Sequence, residues 1–129
     1  MGQGPYEERV AKTRVLVAFE NESCVYRDAI ASVIRINRPR VEVAAAELGL
    51  LGSKVAQFDP HLVICSQPNT VDPSGRPAWF KLPPDPNRLA EICLDGQRAE
   101  TANPALEELL RVVDETEKLI RKKPDPGNC

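Results

Sequence analysis

Three short apolar runs constrain this chain more than any other feature. They are residues 14–19 (RVLVAF), 41–45 (VEVAA) and 61–65 (HLVIC). The first and third hold Val, Leu, Ile and Ala without alternation, the pattern of strands covered on both faces, as in a parallel sheet. After the first run, Tyr26, Ala29, Ile30, Val33 and Ile34 recur at three- and four-residue spacing, with Arg27, Asp28 and Arg35 between them. That is an amphipathic helix. Asn21 or Ser23 can cap its start, where acids are also favoured. It closes at Arg38, because the residue before Pro39 is driven away from helical dihedrals. After the second run, Leu51, Val55 and Phe58 share one face of a short helix that Asp59-Pro60 stops. The order strand, helix, strand, helix, strand predicts right-handed crossovers and a parallel sheet with the third run at its centre.

Beyond residue 65 the alternation breaks. Residues 66–77 (SQPNTVDPSGRP) carry three prolines and no apolar period, so they read as a loop. Residues 78–82 (AWFKL) and 89–94 (LAEICL) read as strands. The six residues between them are too few for a parallel crossover. They form an antiparallel hairpin, or a fourth and fifth strand whose usual helix is deleted. Asp95-Gly96 turns the chain. With Asn103 as cap and Pro104 in the first turn, residues 105–121 read as the last helix. Its stripe is Leu106, Leu109, Leu110, Val113 and Ile120, and Lys118, Arg121, Lys122 and Lys123 gather at its C-terminal end, which favours cations. Residues 1–12 read as a flexible leader, 13–123 as one domain and 124–129 as a disordered tail. A length of 129 residues suits a single domain, and 42% hydrophobic with 28% charged residues is a globular balance.

Several function classes are disfavoured. A net charge of −2 argues against a basic nucleic-acid binder. No apolar run approaches the roughly 20 residues that cross a bilayer, and the polar N-terminus lacks the apolar core of a secretory signal. A cytoplasmic protein is expected. Cys24, Cys65, Cys93 and Cys129 include no C-x-x-C, and His61 is the only histidine, which argues against structural zinc. Cys65 and Cys93 lie in apolar runs and read as free buried thiols, a disulfide being disfavoured in a reducing compartment. His61 and Cys65 stand four apart, a dyad spacing on a helix but not on a strand. No glycine-rich phosphate cradle calls for a nucleotide, no metal or cofactor is expected, and one histidine without a nucleophile elbow disfavours an enzyme.

The stretch from Arg14 to Ser66 resembles the receiver domain of two-component response regulators. The resemblance rests on RVLVAF with acids after it, YRDAIASVIR as the first helix, VEVAAA as the second strand and FDPHLVICS leading into the third; residues 103–121 fit the family's last helix. It implies an α/β, flavodoxin-like three-layer sandwich with a mostly parallel central sheet, here with the fourth helix missing and strands 4 and 5 as a candidate antiparallel hairpin. It also implies Mg²⁺-assisted phosphoryl transfer to an aspartate after the third strand, with acids after the first, Ser or Thr after the fourth and Lys after the fifth. The aspartate position falls on Ser66, whose hydroxyl cannot form an acyl phosphate. Glu20, with Glu22 second, stands where the metal-binding acids belong, and Phe19 takes one of their two places. Pro83 follows the fourth strand, and residues 94–97 (LDGQ) supply no Lys.

What these departures imply is a degenerate receiver that signals without catalysis, through homodimerisation or a signalling partner and without touching nucleic acid or membrane. Val112 and Leu119, off the main helical stripe, are its candidate interface. The alternative is a small-molecule-binding module using the loops at the C-terminal edge of the sheet. Its candidate contacts are Ser66, Gln67, Asn69, Thr70 and Asp72, with Glu20 and Glu22 as cation ligands; a polar surface loop and simple helix-start acids are the plainer readings. Arg27, Arg35, Arg38 and Arg40 form a basic patch or a solvated helix face.

Overall fold

The computed structural model describes residues 12–122 and 127–129; the expected leader, apart from Lys12, and residues 123–126 lie outside them. The first apolar run becomes β1 (Arg14–Phe19), in which Val15, Leu16, Val17, Ala18 and Phe19 have no exposed surface. A run buried on both faces needs a neighbour on each edge and a layer above and below. The chain supplies them with α1 (Cys24–Asn37), β2 (Glu42–Glu47), α2 (Leu51–Phe58) and β3 (Leu62–Cys65). β1 pairs in parallel with both β2 and β3. Neither Asn21 nor Ser23 caps α1 through its side chain. The Ser23 N–H instead donates to the Glu20 carbonyl at 2.9 Å, closing a tight turn ahead of the helix.

The rest of the sheet is β4 (Ala78–Lys81), β5 (Ala90–Leu94) and β6 (Gln97–Thr101), followed by α3 (Leu106–Lys122). The six strands lie in the order β2-β1-β3-β4-β5-β6. β4 is parallel to β3, reached through the loop 66–77 with no helix, and β4-β5-β6 is an antiparallel meander. The molecule is therefore an α/β structure on a mixed sheet. The expected antiparallel pairing of the 78–94 strands is present. β6 is an addition, because its polar, exposed sequence QRAET carries no apolar period to announce it.

One face of the sheet packs under α1 and α3, where Ile30, Ile34, Leu109 and Val113 meet Val15, Val17, Ile64 and Phe80. Each such side chain fully buried is worth roughly 1.5–3 kcal/mol. Arg38 at the end of α1 grips Asp114 of α3 with two hydrogen bonds, 2.7 and 2.8 Å. Arg27 pairs with Asp28, and Arg35 donates to the Val43 carbonyl. Three of the four arginines of the candidate basic patch thus have local partners.

The buried stripe of α3 is Leu109, Val112, Val113 and Thr116. It is rotated from the expected one, and Leu106 is 48% exposed. Val112 has no exposed surface, which corrects its assignment to an interface: it faces the sheet and offers a partner nothing. Leu119 is half-buried.

The opposite face is covered unevenly. α2 lays Leu51 and Val55 over Leu16, Ala18 and Val63. Beyond β3, where a fourth helix would lie, Trp79 and Cys93 are covered by the last residues of the chain. Cys93 and Cys129 form a disulfide, with Cα atoms 6.0 Å apart. This corrects the expectation that Cys93 is a free thiol, and for residues 127–129 the expectation of a disordered tail. Asn69 Nδ2 donates to the Cys129 carbonyl at 2.8 Å, and the Cys129 N–H donates to the Arg76 carbonyl at 2.9 Å. Gly75 adopts φ +83° beneath Gly127, so close that a Cβ would strike the Gly127 carbonyl oxygen. Among the described residues no helix is long and apolar enough to cross a membrane.

Candidate functional site

β1 and β3 are neighbours, yet the chain leaves β1 towards β2 on one side and leaves β3 towards β4 on the other. In open parallel sheets, the crevice beyond the C-terminal ends of such a pair is where ligands bind. Glu20 follows β1 and Ser66 follows β3, so the fold brings them together across this crevice. The Ser66 hydroxyl donates to the Glu20 carboxylate, 3.1 Å from each oxygen. The residue standing at the aspartate position of the receiver resemblance is thus bonded to the one standing at its acid position.

A polar cleft of about 580 Å³ opens beside this pair, lined among others by Gln67, Lys81, Asp85, Arg88 and Glu100. Lys81 is the last residue of β4, directly across from Cys65 in the parallel register. It is partly buried, and its ammonium has neither an ion pair nor a hydrogen bond among the described residues. Arg88 is exposed; its N–H donates to the Asp85 carbonyl at 3.1 Å, and its guanidinium is unpaired among the described residues. Pro83 and Pro84 stiffen the far wall, and Asp85 closes the following turn by accepting the Asn87 N–H at 2.9 Å. The backbone of Gln67 is fixed from below. Its carbonyl accepts the Trp79 indole N–H at 2.7 Å and the Cys65 thiol at 3.1 Å, while its side chain stays exposed at the lip.

The other candidates divide. Glu22 joins Glu20 and Glu47 around a shallower depression next to the cleft. Among the described residues no group of acids, cysteines and histidine is arranged to hold a metal ion. Asn69 and Asp72 are consumed inside their own loop. Asn69 Oδ1 accepts the Val71 and Asp72 N–H groups while its amide clamps the tail. Asp72 accepts from the Ser74 hydroxyl and N–H and from Arg76, which hold its carboxyl below the usual carboxylate range. Thr70 is exposed and lies outside the cleft lining.

Neither His61 nor Cys65 is placed for acid–base chemistry. His61 precedes β3, at the opposite end from Ser66. Its Nδ1 accepts the Arg14 N–H at 2.9 Å, and burial with Arg14 beside it pushes its pKa down to about 4. Burial pushes the Cys65 thiol up to about 11, so it stays protonated at neutral pH. The site residues that sequence reasoning missed are Lys81, Arg88 and Glu100. Only Lys81 left a signal: a cation interrupting the apolar strand AWFKL where the run otherwise calls for burial.

A second, apolar depression of about 210 Å³ lies between α1 and α3, bounded by Tyr26, Val33, Phe80 and Leu106. Comparison with protein-family models, with curated proteins and with solved structures finds no match to this chain.

Proposed function

We propose that this chain is a binding domain whose site is the cleft beyond β1, β3 and β4. It takes a small polar molecule carrying an anionic group, a carboxylate or a phosphate, together with a hydrogen-bond donor. The observation that carries the reading is Lys81, a partly buried residue whose ammonium has no protein partner among the described residues, set on the rim of the Glu20–Ser66 crevice. An ammonium without a protein partner at the mouth of a polar cleft is open to a counter-charge. An anion against Lys81 supplies that counter-charge, Arg88 can close over it, and Glu20 accepts a hydrogen bond from the ligand's donor. The reading is one of recognition, with charge from Lys81 and Arg88 and hydrogen bonding from Glu20 and Ser66.

The receiver-like, flavodoxin-like interpretation fits the same place. With Ser66 at the aspartate position, the cleft is the remnant of a phosphorylation site that has kept its anion affinity and lost its acceptor. Its occupancy would then be passed to a second copy or to a signalling partner.

Native mass spectrometry of the purified chain tests the site, followed by amide chemical-shift titration with inorganic phosphate and with acetate. A reproducible added mass is expected, or shifts centred on Ser66, Gln67 and Lys81, and Lys81→Met should weaken either by about tenfold or more. Wild-type protein that carries no added mass and shows no localised shift with either anion overturns the reading. So does a Lys81→Met variant that binds as tightly as wild type.

A further inference from the structure

Among the described residues β6 is an edge strand of the sheet with no strand beyond it, and four of its five residues are exposed. Its geometry follows from the turn before it. Asp95 (φ 53°) and Gly96 (φ 85°) both take positive φ between the paired residues Leu94 and Gln97, a two-residue hairpin turn. The Asp95 N–H donates to the Pro77 carbonyl, on the β4 side, at 2.8 Å. Successive residues of a strand address opposite neighbours, so Leu94, Ile92 and Ala90 address β6, and their partners Gln97, Ala99 and Thr101 point back at β5. The backbone N–H and C=O groups of Arg98 and Glu100 therefore point off the sheet. No proline and no lysine blunts this edge, and open edge groups are a template for another strand.

The side chains say which strand. Glu100 stands directly across from Glu91 in the sheet, a like-charge pair. Arg98 reaches Glu91 at 3.3 Å, and Glu100 has no ion pair among the described residues. We propose that two copies of this chain pair through β6, antiparallel, about a two-fold axis at Ala99. In that register Arg98 faces the partner's Glu100 and Glu100 faces the partner's Arg98, and each of these pairs exchanges both backbone hydrogen bonds. Ala99 meets its own copy at the axis, in the non-bonded position where Cα atoms come within about 4.5 Å and a small side chain fits. The neighbouring registers that also match outward-facing groups fail on charge. One sets Arg98 against the partner's Arg98, the other Glu100 against the partner's Glu100. The charge pattern of QRAET thus selects a single self-pairing, and the partner's Arg98 reaches the cleft wall that Glu100 lines. The proposal does not rest on the cleft binding a ligand.

Sedimentation velocity of the full, oxidised chain from micromolar to near-millimolar concentration tests it. A monomer–dimer equilibrium is expected that weakens as salt is raised. Arg98→Glu and Glu100→Arg should each weaken the dimer by about tenfold or more, because each sets like charges face to face. The double variant carrying both changes should return to within a few-fold of wild type. Glu100→Arg removes neither Arg98 nor Glu91, and an unchanged circular dichroism melt shows that the fold is intact. A wild type that stays monomeric throughout, single variants that dimerise like wild type, or a double variant that does not recover each overturns the proposal. Lys81→Met should dimerise normally, which separates this result from that of the cleft.

Discussion

The two halves of the sheet solve the same problem by different means. Around β1, each face is covered by a helix: α1 supplies Ile30 and Ile34, and α2 supplies Leu51 and Val55. Around β4 and β5, α3 covers one face, and the other is closed by a proline-rich loop and three terminal residues held by a disulfide. A helix satisfies its own backbone and delivers its apolar stripe as a unit, so the first half holds together through packing. The tail of the second half has no such internal bonding. Its order comes from the Cys93–Cys129 bond, the Asn69 clamp and the close approach of Gly75 to Gly127. One half is stable by composition, the other by attachment.

The largest expected effect lies in the packed half. Phe19→Ala removes a side chain with no exposed surface and should cost about 3–5 kcal/mol in urea denaturation, by the same amount whether the protein is oxidised or reduced. A loss that depends on the redox state would join the two halves energetically and break the contrast.

Next comes the disulfide, which closes a sequence separation of 36 residues. Reduction, or Cys129→Ser, should cost about 2–4 kcal/mol. Amide exchange should quicken in residues 66–77 and around Trp79 while β1 and β3 keep their protection. Uniform quickening across the sheet would mean that the tail supports the whole fold and not one face of one half.

The smallest effect sharpens the boundary between the halves, where His61 enters β3. Its folded pKa of about 4 lies below the unfolded value near 6.5, so the unfolded chain takes up the proton first. Stability is complete above about pH 6.5 and falls as the pH drops towards 4, by on the order of 2 kcal/mol after allowance for partial exposure. Asp59, Asp72 and Asp114, each held below the usual carboxylate range by an arginine or serine donor, lose their contributions only at still lower pH. His61→Asn keeps an acceptor for the Arg14 N–H and cannot charge. It should flatten the stability profile between pH 6.5 and 4, and a slope unchanged in this variant would assign the effect to another group.

How much was legible in the sequence divides along the same line. The packed half could be read because runs buried on both faces carry an unmistakable apolar signature and each helix repeats every three to four residues. The antiparallel pairing of β4 with β5 could be read from the shortness of the link between them. β6 could not, because an exposed edge strand needs no apolar residues; it forms because the Asp95-Gly96 turn delivers it to β5. The stripe of α3 was misphased for a related reason. Leu106 and Val112 are both apolar, and only the direction from which the sheet approaches decides that Val112 is buried and Leu106 is half exposed. At the site, Glu20 and Ser66 were found from their positions after strands, whereas Lys81, Arg88 and Glu100 come from three places in the chain and meet only in the folded cleft.

The amino-acid sequence by itself determined the strand–helix–strand core, the parallel pairing of its strands and the two residues that flank the crevice. These follow from local periodicity, which a linear string records. The tertiary structure alone decided the Cys93–Cys129 bond, the placing of Lys81 beside the Glu20–Ser66 pair and the outward charges of β6. Each of these is a relation between residues distant along the chain, fixed by how the sheet twists and closes, and no spacing in the sequence encodes it.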